Sequence, residues 1–190
     1  MLQVRPLTIP EVLLLTPRIL RDERGWFCES YNLRTLAEAA GITCGFVQDN
    51  HVLSVGKGTI RGLHFQAPPF AQGKLVRALR GAIFDVAVDI RVGSPTFGRH
   101  VSAVLDAAGG SQLWVPEGFA HGYCTLEPDT EVLYKTTSYY APAADKGLSW
   151  NDPALAIPWP VGVATAIMSI KDTAQPRLSE LAGYFRYGQD

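Results

Sequence analysis

Four side chains in this sequence have the chemistry of proton transfer. His64, in the run Arg61-Gly62-Leu63-His64-Phe65-Gln66, carries an imidazole that is poised near neutrality and suits proton abstraction. Tyr134, in Glu131-Val132-Leu133-Tyr134-Lys135, carries a phenol that keeps its proton at neutral pH and so has one to give. Lys74, after Ala71-Gln72-Gly73, could steady a developing oxyanion. Asp172, in Ser169-Ile170-Lys171-Asp172, could hydrogen-bond a histidine and set its tautomer and basicity. A fifth residue, His121, lies between Ala120 and Gly122 and has room to touch a ligand. Each also has a plainer reading. The histidines could be bonded to backbone on a sheet face or beside a turn, and the lysine could be solvated at a strand end. The tyrosine could be buried structure, and the aspartate a helix cap or an Asx turn.

Other chemistries find no footing. The four histidines are His51, His64, His100 and His121, and no two are spaced as HxH or HxxxH. Gln66 stands where a second ligand would follow His64, so no tight metal site is expected. No GxxxxGK[ST] or GxGxxG loop is present to cradle phosphates, and no GxSxG elbow is present for a serine nucleophile.

The elements that must carry these residues read as strands. With 190 residues, 47% of them hydrophobic and 18% charged, the chain is long enough for one domain with a real core. Thirteen prolines and 18 glycines suit many short strands joined by turns. Strands are expected near 11–15, 25–31, 45–54, 58–66, 74–80, 82–91, 97–105, 111–115, 119–126 and 130–138. Leu33 to Ala40 reads as a helix stopped by Gly41, and weak helical character returns at 177–185. Strand alternation puts Gly62, His64 and Gln66 on one face, opposite Leu63 and Phe65. It groups Asp85, Ala87 and Asp89 against Phe84, Val86, Val88 and Ile90. Phe119, His121 and Tyr123 share another face, as do Val132, Tyr134 and Thr136. Faces that carry His and Tyr rather than Lys and Glu suit the lining of a ligand cavity. Some ten strands and one short helix point to a β-sandwich or barrel, with the jelly roll a natural candidate.

The net charge of −1 asks for neither a nucleic-acid groove nor an anionic membrane surface. Cys28, Cys44 and Cys124 are scattered and odd in number, and read as reduced thiols in a cytoplasmic protein. The opening residues have only a short apolar run broken by prolines, which is neither a signal peptide nor a spanning helix.

Several longer stretches, taken together, are similar to the dTDP-4-dehydrorhamnose 3,5-epimerase family. They are RDERGWF at 21–27, FVQDNHVLSVGKGTIRGLHFQ at 46–66, AQGKLVR at 71–77 and FDVAVDIRVGSPTFG at 84–98. QLWVPEGFAHGY at 112–123, EVLYKTTSYYAP at 131–142 and LSWNDPALAIPWP at 148–160 complete the set. The resemblance implies an all-β, cupin-type jelly-roll sandwich with short helices toward both ends. It implies a single domain over 1–190 that needs no metal and no cofactor and pairs as a homodimer. It further implies His64 as general base with Asp172 as its partner, Lys74 at the enolate oxygen, and Tyr134 as the acid on the opposite face. Arg61 and His121 would hold the sugar and pyrophosphate. Gln48, Asn50, Phe27 and Glu29 would face the nucleoside, with Tyr140 stacking on its base and Arg24 and Lys171 near the phosphates. Some of these would come from a neighbouring subunit. The implied substrate is a dTDP-linked 4-keto-6-deoxy sugar, inverted at C3 and C5. An enzyme inverting only one of those centres would carry the same residues, and a sugar-nucleotide ketoisomerase or a non-catalytic sugar-binding sandwich are further alternatives. The chain departs from the family pattern at Tyr139-Tyr140, where a tryptophan is common, and at Pro68-Pro69-Phe70, where the loop is usually more polar.

Overall fold

Two antiparallel sheets form the body of the protein, and the residues that alternation grouped together point into the space between them. A computed structural model describes residues 1–188. Along the chain run β1 (Gln3–Pro6), β2 (Leu13–Thr16), β3 (Ile19–Asp22), β4 (Gly25–Cys28) and α1 (Leu33–Ala40). Then come β5 (Gln48–Ser54), β6 (Ile60–Gln66), β7 (Lys74–Arg80), β8 (Ala82–Asp89), β9 (Arg91–Val92) and β10 (His100–Asp106). β11 (Gln112–Val115), β12 (Phe119–Thr125), β13 (Thr130–Thr136), β14 (Asp145–Gly147), α2 (Ile170–Thr173), a 3₁₀ turn at Leu178–Glu180 and β15 (Phe185–Arg186) complete it. One sheet has the order β1-β2-β11-β7-β13-β5, and the other has β10-β8-β12-β6-β14. This is the expected cupin-like jelly-roll sandwich. No described helix is long and apolar enough to cross a membrane.

The α1 helix has the expected bounds for the expected reasons. The Asn32 side chain accepts a hydrogen bond from the Thr35 amide at 3.2 Å, and Gly41 closes the helix at φ 69°. Leu36 then docks with Leu13, Leu15, Leu75 and Trp114 on the outer face of the six-stranded sheet. Strand ends differ from expectation by a few residues. β1, β3, β9, β14 and β15 are additions, each of four residues or fewer, too short to show a period. The 177–185 stretch holds one 3₁₀ turn rather than a helix, and β15 then pairs parallel with β9.

Between the sheets, Val76, Leu113, Val115 and Val132 meet Ile83, Ala87, Val101, Leu105 and Phe119 in one core. The opposite faces of β6 and β8, with Leu63, Phe65, Val86, Val88 and Ile90, are not open to water. The chain from Leu148 onward lies over them and packs Leu155, Trp159, Leu178 and Phe185 against them. Both faces of the five-stranded sheet are therefore buried. The inner face can give up apolar contact and carry polar side chains, because the outer face supplies hydrophobic burial.

One irregularity decides what shares the inner face. Tyr123 pairs with Arg61 and His121 pairs with His64, so β6 spends one more residue than β12 between the two pairs. This bulge reverses the alternation and puts Arg61 on the same side as His64, where simple counting places it opposite. Glycine is required on both strands. A Cβ on Gly62, at φ +126°, would lie 2.6 Å from Gly122 Cα. A Cβ on Gly122 would lie 2.7 Å from the Arg61 carbonyl oxygen.

Candidate active site

A cavity of about 400 Å³ opens between the sheets at the bulged end. His64 and His121 line it from the five-stranded sheet, and Lys74 and Tyr134 from the six-stranded one. Asp172 comes from neither. The tail turns back after Val161, and Ile167 docks on the Gly58–Ile60 stretch through Ile60 N–H to Ile167 O at 2.9 Å and Ile167 N–H to Gly58 O at 3.1 Å. Ser169 caps the single turn of α2, and Asp172 is set down beside β6.

There His64 Nε2 lies 2.6 Å from Asp172 Oδ1, and the Gly62 amide donates to Asp172 Oδ2 at 3.4 Å. The bulge thus presents an imidazole and a backbone donor to one carboxylate. Burial opposes the charge on Asp172, but the His64 hydrogen bond, the His64 charge and the Gly62 amide outweigh it and hold the carboxyl below its usual value. An ionised Asp172 only accepts, so His64 directs an Nε2–H at it, and in the neutral imidazole Nδ1 is the nitrogen with the lone pair.

Lys74 opens β7 and is buried, with Nζ donating to the His64 carbonyl oxygen at 3.1 Å. Burial lowers its pKa to about 8, against partial support from Asp145 and Asp85. Tyr134 sits mid-strand, between Asn50 of β5 and Val76 of β7. Burial is the main cause raising its pKa and Arg61 works against it, so the phenol keeps its proton. His121 is directly opposite His64 in register and has its own carboxylate, with Nε2 2.6 Å from Asp85 Oδ1. Arg61 lies at the mouth and donates from Nε to Ser54 Oγ at 3.1 Å and from Nη2 to the Leu53 carbonyl at 3.3 Å.

A second hollow of about 350 Å³ shares His64, Lys74, Tyr134 and Lys171 with the first and continues past Gln48, Asn50 and Tyr140. Tyr140 is fixed at both ends. Its amide donates to Gln48 Oε1 at 3.0 Å and its hydroxyl to Asp145 Oδ2 at 2.9 Å. Lys171 also pairs with Asp145. Burial opposes the charges on both members, but their pairing raises Lys171 and, with Tyr140, lowers Asp145.

Of the residues named from the sequence, His64, Lys74, Tyr134, Asp172, His121, Arg61, Gln48, Asn50, Tyr140 and Lys171 meet around these two hollows. Arg24, Phe27 and Glu29 do not. Arg24 and Phe27 sit on the β3–β4 hairpin, where Phe27 is 67% exposed, and Glu29 follows it beside a separate hollow. Asp85, Asp145, Gln66 and Ser54 were missed. Asp85 shares an inward face with Ala87 and Asp89, and that was the one available signal. Gln66 fixes the 139–141 loop, donating to the carbonyls of Phe70 at 2.6 Å and Tyr139 at 3.1 Å and accepting from the Ala141 amide at 2.7 Å. Among the described residues, no three His, Cys, Asp or Glu side chains gather as metal ligands would.

Known proteins resemble this one in sequence and fold over most of their length. The family model described as dTDP-4-dehydrorhamnose 3,5-epimerase matches residues 6–180. A dTDP-4-dehydrorhamnose 3,5-epimerase of Sinorhizobium fredii is 53% identical over 181 residues, covering 95% of this chain and 92% of the relative. A crystal structure of dTDP-6-deoxy-D-glucose-3,5-epimerase from Legionella pneumophila, in complex with dTDP-4-keto-L-rhamnose, superposes with a TM-score of 0.95. It is 42% identical and covers 100% of both chains. A dTDP-4-dehydrorhamnose 3,5-epimerase structure from Bacillus anthracis, with TDP and pyrophosphate bound, gives a TM-score of 0.89 at 49% identity, covering 93% of this chain and 99% of that one. With the family model spanning both sheets and relatives alike over nearly their whole length, this chain belongs to the dTDP-4-dehydrorhamnose 3,5-epimerase family.

Proposed function

We propose that the protein inverts C3 and C5 of dTDP-4-dehydro-6-deoxy-D-glucose to give dTDP-4-dehydro-L-rhamnose. The observation that carries this is the placement of His64 and Tyr134 on opposite sheets across one cavity that also holds Lys74.

The keto group at C4 makes the protons at C3 and C5 acidic. His64 Nδ1 takes one of them, and the bond's electron pair moves through the new C=C bond onto O4. The Asp172 carboxylate stabilises the imidazolium formed. Lys74, as the cation, donates to O4 and stabilises the enolate. A positioned base contributes about 10²–10⁴-fold. A fixed donor at the oxyanion contributes about 10²–10³-fold more. Tyr134 then returns a proton to the same carbon from the other face, which inverts it; the phenolate regains a proton from solvent and the His64 imidazolium gives its proton up to solvent, which resets both groups. Repetition at the second carbon completes the reaction with no net redox change, so no cofactor is part of the scheme.

Arg61 and His121 hold the sugar and pyrophosphate. Gln48, Asn50 and Tyr140 take the nucleoside, with Lys171 near the phosphates. Arg24, Phe27 and Glu29 act on the site of a second copy of the chain in a homodimer. Their exposure on one subunit, away from both hollows, supports that arrangement. Residues 1–190 act as one domain, in the cytoplasm, on a small nucleotide-linked sugar rather than on nucleic acid or a membrane. The net charge of −1 and the unpaired cysteines favour this setting.

The test is incubation with dTDP-4-dehydro-6-deoxy-D-glucose in deuterated water, with the product read by NMR. Inversion and deuterium at both C3 and C5 are expected. Inversion at one carbon would make the protein a single-centre epimerase, and no exchange at either would refute the proposal.

A further inference from the structure

Asp85 and Asp89 lie on one face of β8, and both are completely buried. Their surroundings differ. Asp89 is fully met. Its Oδ1 accepts from the Arg91 amide and Nε, each at 2.9 Å, and its Oδ2 accepts from Arg91 Nη2 at 2.7 Å, Ser94 Oγ at 2.6 Å and Thr96 Oγ1 at 2.7 Å. Asp85 has one partner only. His121 Nε2 lies 2.6 Å from its Oδ1, and its Oδ2 has no hydrogen-bond partner among the described residues. A buried carboxylate oxygen left unmatched destabilises a fold, and apolar side chains of similar volume often serve stability better. Asp89 can be explained as structure, but Asp85 cannot.

What Asp85 does hold is His121. That imidazole is 6% exposed, lies opposite His64 in the strand register and lines the cavity. A carboxylate accepts and never donates, so facing one His121 would carry its hydrogen on Nε2 and, as a neutral imidazole, its lone pair on Nδ1. No protein donor or acceptor is recorded at Nδ1 among the described residues. Among the other polar groups of the cavity wall, Lys74 and Arg61 can only donate, Tyr134 carries the phenolic proton, and the free nitrogen of His64 is the proposed base. A hexose with hydroxyls beside its reacting carbons also needs an acceptor.

We propose that Asp85 is a positioning residue for the epimerisation set out above. It locks His121 in the Nε2–H tautomer, so that Nδ1 receives a hydrogen bond from a hydroxyl of the bound hexose. This rests on the function proposed above and adds to it a requirement for a hydroxyl donor on the sugar.

Three measurements on the intact protein test it. With only four histidines in the chain, ¹⁵N-histidine NMR can resolve His121. A protonated Nε2 and a bare Nδ1 are expected, and a protonated Nδ1 in the unsubstituted protein would overturn the proposal whether or not any variant folds. In Asp85→Asn the amide can donate to Nε2, so the Nδ1–H tautomer should appear. KM for dTDP-4-dehydro-6-deoxy-D-glucose should rise about tenfold, the loss of one good hydrogen bond, while Kd for dTDP alone stays within about twofold. The melting temperature should not fall. A variant that melts lower with KM unchanged would make Asp85 structural and end the proposal, as would an unchanged tautomer. Turnover by the unsubstituted protein is the control. Its absence would refute the proposed function while leaving the tautomer measurement standing.

Discussion

His64 and Tyr134 face the same cavity from different sheets, one on β6 and the other on β13. The proposed mechanism thus assigns removing a proton and returning one to two sheet walls rather than to a loop. His64→Asn should abolish deuterium incorporation at both C3 and C5, with kcat falling at least about 10³-fold, while dTDP binding by calorimetry stays within about threefold. Retained exchange would remove His64 from the base role.

Tyr134→Phe separates the two steps. The base and the enolate donor remain, so wash-in of solvent deuterium should persist. Inversion should drop about 10²-fold, chiefly at C5. The measurement is the ratio of exchange to inversion by NMR, and a wild-type ratio would show that another group delivers the proton.

Lys74 sets stability and activity against each other. Its folded value of about 8 is below the ordinary 10.5, so at neutral pH folding bears the cost of a buried cation. The shift corresponds to roughly 3 kcal/mol. Below pH 8 the amine is charged in both states and the full cost applies. Between about 8 and 10.5 the unfolded chain binds more protons, so stability rises with pH. In the mechanism proposed above turnover needs the cation, so it should fall over that same window. Lys74→Met should melt higher than the parent at pH 7 and lose about 10²–10³-fold in kcat. Calorimetry and steady-state rates check both signs.

Gly62→Ala tests the bulge. The new methyl would lie 2.8 Å from the His121 carbonyl oxygen as well as against Gly122, at a positive φ. A loss of more than about 2 kcal/mol in urea unfolding is expected. Turnover of the folded fraction should fall too, because the bulge sets both His64 and the Gly62 amide on Asp172.

The composite site proposed above can be tested by complementation. Arg24→Ala and His64→Asn proteins should each be impaired on their own. Mixed after partial denaturation and refolding, they should regain activity, because a heterodimer carries one site with both residues intact. No recovery would place Arg24 and His64 on the same subunit's site or outside the reaction.

The sequence made the polar inner faces legible because strand alternation is local. His64 with Gln66, His121 with Tyr123, and Asp85 with Asp89 all share faces as counted. Alternation alone could not put Arg61 beside His64, because one extra residue in β6 reverses the count, and the only trace of that bulge is the pair of glycines at 62 and 122. The shelter over Val86 and Val88 was not legible either. The Pro-rich tail has no period, and its packing depends on contacts far away in the chain. Asp145 opens β14, a strand of three residues too short to show a pattern, and only the fold brings it to Lys171 and Tyr140.

The tail does two jobs with one piece of chain. It roofs the outer face of the five-stranded sheet, and it brings Asp172 to a histidine 108 residues earlier. A growing chain that has not reached residue 172 already contains His64, Lys74 and Tyr134, but the imidazole proposed as the base has no carboxylate behind it. Competence to enolise a sugar therefore comes last, with the closing of the roof. Anything that pries Trp159 or Phe185 off the sheet should silence the chemistry before the sandwich itself comes apart.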